Sequence, residues 1–265
     1  MELGLLNKVA VVMGASKGIG YAIAEEFLKE GCKVAITARR ESELIQASGE
    51  LSKLGEVYYK ALDATRENPV YDFAKDVSER FGAIHCWVNN VGATGKKAGE
   101  EYSQPELDFV VDTCFKSAVY GCQAAFRYMK RQGGGTIVNI SSLAARCPSA
   151  GRSTLYGPMK AAVVNLTNTM AGEYCAYGIR VLCVMPGFTQ TPLVRSNISQ
   201  EELEYNCKGT LLRRLAEPEE IAKPVVFLAS EAASYITATT LEVSGGRSVT
   251  LNPSYSYDKK NGAYI

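Results

Sequence analysis

The sequence predicts an α/β fold: one domain on a doubly wound parallel sheet of about seven strands with helices on both faces. Three observations lead there. Short β-branched runs bounded by Gly, Asn or Pro alternate with longer segments whose apolar residues recur every three or four positions, which implies parallel βαβ units. Several of the short runs are apolar throughout, as strands covered on both faces must be. No Pro/Ser-rich linker, internal repeat or low-complexity block divides the 265 residues, so residues 1–265 read as one domain.

Taken in order, residues 8–13 form the first strand, closed by Gly14, and residues 19–29 the first helix. Residues 33–37 and 57–61 are the next strands, with a helix over 41–54 between them. A helix over 70–81 leads to a fourth strand, 84–89, which ends at Asn90. One long helix, 106–131, follows, and then a fifth strand, 136–140, after Gly133-Gly134-Gly135. A helix over 155–177, a strand over 180–184, a helix over 217–229 and a last strand over 241–243 complete the alternation. Two segments stand outside it. Residues 188–212 have the length of a substrate lid, and the tail, 247–265, carries Tyr255, Tyr257 and Tyr264.

Composition removes several classes of function. With 29 Lys+Arg against 28 Asp+Glu, no clustered charge favours nucleic acid or an anionic membrane, and Lys96-Lys97 and Arg213-Arg214 are too short to change that. No run reaches the ~18 apolar residues of a membrane span, and Glu2 stands where a signal peptide would be basic, so a cytoplasmic location is expected. The eight cysteines include no CxxC, and the single histidine, His85, cannot complete a Cys/His zinc cluster, so no metal is expected. The cysteines other than Cys114 read as small buried packing residues. His85 lies in the apolar run Ile84-His85-Cys86-Trp87-Val88 and reads as structural, which argues against nucleophilic triads.

The first strand runs directly into Gly14-Ala15-Ser16-Lys17-Gly18-Ile19-Gly20 and then a helix. Glycines let the backbone turn sharply and approach a pyrophosphate, whose charge is favoured by the free N–H groups of a helix N-terminus. A second constellation is Tyr156 and Lys160, four apart and therefore on one face of their helix. Tyrosine, with a usual pKa of about 10, is a poor base at neutral pH, and a nearby ammonium lowers that value by favouring the phenolate. Such a tyrosine can take a proton from an alcohol or give one to a carbonyl oxygen while hydride moves. Ser142, just after the fifth strand, would hydrogen-bond the same oxygen and stabilise its developing charge.

The glycine spacing, GxxxGxG, occurs with Asn89-Asn90-Val91-Gly92 after the fourth strand, Ser142 after the fifth, and Tyr156-Gly157-Pro158-Met159-Lys160 opening the next helix. Pro186-Gly187, Glu217-Pro218-Glu219-Glu220-Ile221-Ala222 and Gly245-Gly246 follow in order. The set resembles the short-chain dehydrogenase/reductase family over nearly the whole chain. The resemblance implies a Rossmann-type sheet, reversible alcohol–ketone interconversion with a nicotinamide dinucleotide, and Ser142, Tyr156 and Lys160 as catalytic residues. It also implies that Asp63 and Ala64 contact the adenine, and that Asn90 and Gly92 wall its ribose. Pro186, Gly187, Thr189 and Thr191 would meet the nicotinamide and phosphates. Where the family places an acidic residue for the NAD ribose, this chain has Ala38 followed by Arg39 and Arg40; with Lys17 these suit a 2′-phosphate. NADP(H) is therefore expected over NAD(H). A homotetramer, with the helices over 106–131 and 155–177 at the interface, is implied as well, and the tail could then reach a neighbouring subunit's cleft.

Two departures stand out. Met13 replaces the usual Thr before the glycine turn, removing a hydroxyl that ties the turn to a neighbouring strand. Cys114, in Asp112-Thr113-Cys114-Phe115-Lys116-Ser117, stands at the family's catalytic asparagine, which holds a water linking the catalytic lysine to solvent. A thiol is a weaker hydrogen-bond partner. The relay then runs through another group, or exchanges protons more slowly, or uses Thr113. An active reductase competes with a dinucleotide-binding protein of low turnover, and the intact Ser142, Tyr156 and Lys160 favour the enzyme.

Residues 133–142 and 235–240, with the Tyr-rich tail, are similar to bacterial bile-acid hydroxysteroid dehydrogenases, the 7α type in particular. A sterol-like small molecule is the expected substrate, with Arg195 and Lys208 available to a carboxylate tail. The alternative is a 3-oxoacyl-(acyl-carrier-protein) reductase or another carbonyl reductase. Arg127, Lys130, Arg131 and Arg146 would then face an acidic carrier protein.

Overall fold

The computed structural model describes residues 2–95, 101–147, 154–247 and 249–262. Lys96, Lys97 and Tyr264 lie outside the described residues. Seven strands form one sheet: β1 (Val9–Met13), β2 (Lys33–Ala38), β3 (Val57–Ala61), β4 (Cys86–Asn89), β5 (Gly135–Ile140), β6 (Ile179–Pro186) and β7 (Thr240–Val243). Their order is β3-β2-β1-β4-β5-β6-β7, and every pairing is parallel. The winding reverses between β1 and β4, which leaves a crevice at the carboxyl ends of those strands.

Strand alternation decides which residues meet which helices. Ala10 and Val12, Cys86 and Val88, Val138 and Ile140, and Leu182 and Val184 face one layer. That layer is built from α1 (Gly18–Lys29), α2 (Glu41–Leu51) and α9 (Pro218–Ala229). Val9, Val11, Trp87, Ile137 and Val181 face the other, built from α3 (Glu67–Phe81), α5 (Ser117–Gln132) and α6 (Tyr156–Tyr174). Both faces of the central strands are thus dry, which is why their sequences read as continuous apolar runs. Met13 is among the buried side chains of the second layer, so the residue that replaces the family's threonine is a core residue.

A buried polar chain crosses that second layer. Trp87 Nε1 donates to Asn89 Oδ1 at 2.8 Å, Asn89 Nδ2 to Asn139 Oδ1 at 2.8 Å, and Asn139 Nδ2 to Thr167 Oγ1 at 3.0 Å. It links β4 and β5 to α6. Because buried amides are costly when unpaired, the chain fixes α6 against the sheet, and α6 carries Tyr156 and Lys160.

Several expectations are revised. Helix α3 starts three residues before Val70, at Glu67, because Pro69 is tolerated in a first turn whose side chains carry no apolar periodicity. The long helix is two: α4 (Gln104–Val111), opened by a capping box between Ser103 and Glu106, and α5, joined by a π-helical turn at Asp112–Lys116. The π-helical turn is only five residues long, too short for a reading by apolar spacing to separate it from the helices on either side. Strand β4 begins at Cys86, with His85 half-buried just ahead of it; its Nδ1 accepts the Val9 N–H at 3.0 Å.

Cys32, Cys86, Cys114, Cys122 and Cys183 are buried, but Cys147 and Cys207 are half-buried and Cys175 is exposed, contrary to a packing role for all seven. Cys175 lies in the short turn after α6, where the chain has left the core. The lid segment holds two helices, α7 (Pro192–Asn197) and α8 (Gln200–Lys208). In the tail, α10 (Tyr255–Lys260) docks on that segment of its own chain. Tyr257 OH donates to the Leu211 carbonyl at 2.8 Å, and the Arg213 guanidinium lies 4.7 Å from its ring centre. No described helix is long and apolar enough to cross a membrane.

Candidate active site

A cleft of about 1090 Å³ opens at the carboxyl ends of the strands, over the reversal between β1 and β4. Every expected site residue lines it except Gly20 and Cys114. Gly20 lies beneath the floor, where a Cβ would overlap the Gly14 carbonyl and the Asn90 amide. Gly14, at φ +75°, needs the left-handed freedom of glycine.

The turn does not miss the absent threonine hydroxyl. Gly14 and Ala15 donate their N–H groups to the Thr37 carbonyl at 2.8 and 3.0 Å, and Asn90 Nδ2 donates to the Gly14 carbonyl at 2.9 Å. Strand β2 on one side and the segment after β4 on the other therefore tie it down.

Beyond the turn the cleft passes Ala38, Arg39 and Arg40. Arg40 does not stand free: its guanidinium meets Glu43 Oε1 at 2.6 Å, Lys17 Nζ lies 3.6 Å from the same oxygen, and Ser16 Oγ lies 3.4 Å from Oε2. Asp63 and Ala64 form the neighbouring wall, and Asp63 Oδ1 accepts both the N–H and the hydroxyl of Thr65.

At the other end, Ser142 follows β5 and its Oγ accepts the Ala144 N–H at 3.2 Å, which aims the loop. Lys160, only 3% exposed, donates from Nζ to the Ile140 carbonyl at 2.9 Å, and Nζ lies 5.7 Å from the Tyr156 ring centre. Gly92 leaves room for that ammonium, since a Cβ there would stand 2.9 Å from Nζ. Cys114 is buried behind Gly92, and its thiol donates to the Ala93 carbonyl at 3.2 Å. The neighbouring Thr113 lines the cleft instead.

Gly187 passes within reach of Ser244, where a Cβ would stand 2.8 Å from its Cα. Thr189 Oγ1 donates to the Gly187 carbonyl at 3.1 Å, and Thr191 Oγ1 accepts the Val194 N–H at 3.3 Å as the cap of α7. Both threonines face the cleft while shaping the loop. Apolar Leu143, Leu193 and Val194 line this end together with Tyr205. Arg247, bonded to the Asn206 carbonyl at 2.8 Å, brings a cation to it besides Lys160. Arg195 and Lys208 do not reach it; Arg195 pairs with Glu217 at 2.8 Å.

Among the lining residues that escaped the sequence reading are Thr37, Glu43, Cys147 and Arg247. Glu43 had a signal, three residues after Arg40 in the first turn of a helix. The others depend on how distant segments pack. The Thr37 hydroxyl is buried without a hydrogen-bond partner on the cleft wall. Together with the glycine cradle, this orphaned group fits a dinucleotide.

A family model described as enoyl-(acyl carrier protein) reductase matches residues 14–248. The chain is 34% identical to a 3-oxoacyl-(acyl-carrier-protein) reductase of Chlamydia pneumoniae, covering 93% of this chain and 99% of that one. It is 35% identical to a 3alpha-hydroxysteroid dehydrogenase of Mediterraneibacter gnavus, covering 92% and 98%. Among solved structures, L-sorbose reductase of Gluconobacter frateurii complexed with NADPH and L-sorbose superposes with a TM-score of 0.88 at 31% identity over 95% of this chain and 100% of that one. A 7 alpha-hydroxysteroid dehydrogenase complexed with NADH and 7-oxo glycochenodeoxycholic acid gives 0.89 at 30% identity, over 95% and 98%. A Rossmann-type sheet with a dinucleotide cleft defines the class. The chain belongs to the short-chain dehydrogenase/reductase family and is an oxidoreductase acting on CH–OH groups.

Proposed function

We propose that residues 1–265 form one domain that interconverts a secondary alcohol and a ketone with NADP(H), and that its substrate is a hydroxysteroid of the bile-acid type. The observation that carries the reaction is the placement of Ser142, Tyr156 and Lys160 on one cleft whose far end holds Lys17, Arg39 and Arg40. The bound dinucleotide would supply or accept hydride. Tyr156 moves the proton at the substrate oxygen, and Ser142 hydrogen-bonds that oxygen. Lys160, held by the Ile140 carbonyl, keeps a positive charge beside the phenol. Gly14, Gly18, Ile19 and Asn90 form the phosphate and ribose cradle, with Asp63 and Ala64 toward the adenine and Pro186, Gly187, Thr189 and Thr191 toward the nicotinamide. Cys114 acts from behind Gly92 and leaves the lysine's proton exchange with a relay different from the family's.

The apolar lining of Leu143, Leu193 and Val194 supports a sterol, and Arg247 supports an acidic side chain on it. A 3-oxoacyl-(acyl-carrier-protein) reductase is the second reading, favoured by the Chlamydia relative. Its carrier-docking patch is partly engaged: Arg127 stacks on Tyr71 at 3.8 Å, Lys130 lies 5.0 Å from Phe126, and Arg146 pairs with Glu242 at 2.7 Å. A spectrophotometric screen of bile acids, other steroids, sugars and acetoacetyl thioesters with NADP(H) and NAD(H) decides. Turnover of thioesters alone would replace the steroid reading, and a strong preference for NADH would remove the cofactor reading. We further propose a cytoplasmic homotetramer, checked by light scattering of the purified protein.

A further inference from the structure

Two of the three basic groups at the adenosine end of the cleft, Lys17 and Arg40, already hold an anion. Glu43 projects from the first turn of α2 onto the cleft, and its carboxylate gathers Arg40 at 2.6 Å, Lys17 at 3.6 Å and Ser16 at 3.4 Å. These donors come from two different loops, the glycine turn after β1 and the turn after β2, so the carboxylate bridges the two segments that an adenosine phosphate would have to enter. Lys17 and Arg40 are assigned above to the 2′-phosphate, and Ser16 belongs to the glycine turn beside them.

We propose that Glu43 is a specificity-determining residue: an internal anion that competes with the 2′-phosphate for Ser16, Lys17 and Arg40 and thereby sets how strongly NADP(H) is preferred over NAD(H). The inference rests on the NADP(H) reading. A phosphate monoester carries up to two negative charges and demands the same hydrogen bonds. It draws on Arg40 and Lys17 donors that the carboxylate already engages, and the two anions repel while both remain. Glu43 does not act on a ligand that lacks the 2′-phosphate, because 5′-ADP brings no second anion to these donors. Its side chain is about one-third exposed, so its replacement leaves the core intact.

The test measures dissociation constants of 2′,5′-ADP and 5′-ADP by calorimetry on the wild type and on Glu43→Gln, which keeps the shape and an acceptor oxygen but removes the charge. The expected result is 2′,5′-ADP binding tightened about 3- to 10-fold, as for loss of one carboxylate–phosphate repulsion in a partly exposed site, with 5′-ADP changed less than about 2-fold. The gain should shrink as salt is raised. Unchanged or weakened 2′,5′-ADP binding overturns the proposal, and so does an equal change in both ligands. The two readings fail separately. A wild type that prefers 5′-ADP removes the NADP(H) assignment, while a switch toward 2′,5′-ADP in Glu43→Gln would still place the discrimination at Glu43. Thermal melts of both proteins establish that the variant is folded.

Discussion

Asn90 reaches across from the end of β4 and donates a 2.9 Å hydrogen bond to the carbonyl of Gly14, the first residue of the glycine turn. Strand order makes this possible, since β4 lies directly beside β1 in the sheet although 76 residues separate the partners. Together with the Thr37 carbonyl, which accepts from Gly14 and Ala15, the bond holds the turn in place. Asn90→Ala removes a partly buried amide donor, worth about 1 kcal/mol, and should weaken NADPH binding by roughly fivefold. Calorimetric titration checks it; unaltered affinity would mean that the Thr37 carbonyl alone holds the turn.

Tyr156→Phe keeps the ring beside Lys160 and removes the proton. Turnover should fall by about 10²–10⁴-fold, the range of a lost general acid–base, while cofactor affinity stays within a few-fold. Near-full turnover with bound cofactor would rule out the proton-transfer role.

Cys114→Asn restores the side chain the family uses. If proton exchange at Lys160 limits the wild type, turnover should rise several-fold, with a larger solvent isotope effect in the wild type than in the variant. Equal rates and equal isotope effects would show that the relay does not pass this position.

His85 has its pKa lowered from the usual value near 6.5 by burial and then by the charge of Lys8. The folded protein therefore resists protonation more than the unfolded chain does. The associated stability is fully present above the unfolded value of about 6.5 and is lost as pH falls toward the depressed folded value. The Nδ1 bond to the Val9 N–H requires the same neutral ring. Melting temperature should drop more steeply below about pH 6.5 in the wild type than in His85→Gln. Since this is the sole histidine, its ring protons report the titration directly by NMR, and a midpoint at or above the unperturbed value would contradict the argument.

Thiol reactivity should follow burial rather than sequence position. Desolvation pushes the Cys32 and Cys122 thiols up to about 12 and raises those of Cys86 and Cys183 as well, so these should resist iodoacetamide in the native protein. Cys147, Cys175 and Cys207 should be modified first, and bound NADPH should protect Cys147, which lines the cleft. Peptide mass spectrometry reads each site; labelling of Cys122 ahead of Cys175 would contradict the packing described.

Much of this was legible in the residues. The seven strands were found within two residues of their ends: the central ones because a doubly covered strand is apolar at nearly every position, and the edge strands β3 and β7, which carry Lys60 and Glu242, because their β-branched and aromatic residues favour extended backbone. The glycine turn and the Tyr156–Lys160 pair were legible because each is read within a few residues, whereas Ser142 was singled out by the family resemblance. The π-helical turn at Asp112–Lys116 was not, since its five residues are too few for apolar spacing to tell it from the flanking helices. The start of α3 was hidden because its first turn contributes no apolar side chain.

By itself, then, the sequence determined the alternation of strands and helices and the local motifs at their ends, because backbone periodicity and turn chemistry act within a few residues. Tertiary structure decided everything that joins distant segments. It set Glu43 among Ser16, Lys17 and Arg40, turned the Cys114 thiol to Ala93, brought Arg247 rather than Arg195 to the cleft, and laid the tail's Tyr257 on the lid. The physical reason is common to all four. Which donor meets which acceptor depends on strand order and loop packing, and those follow from burying the whole apolar surface at once.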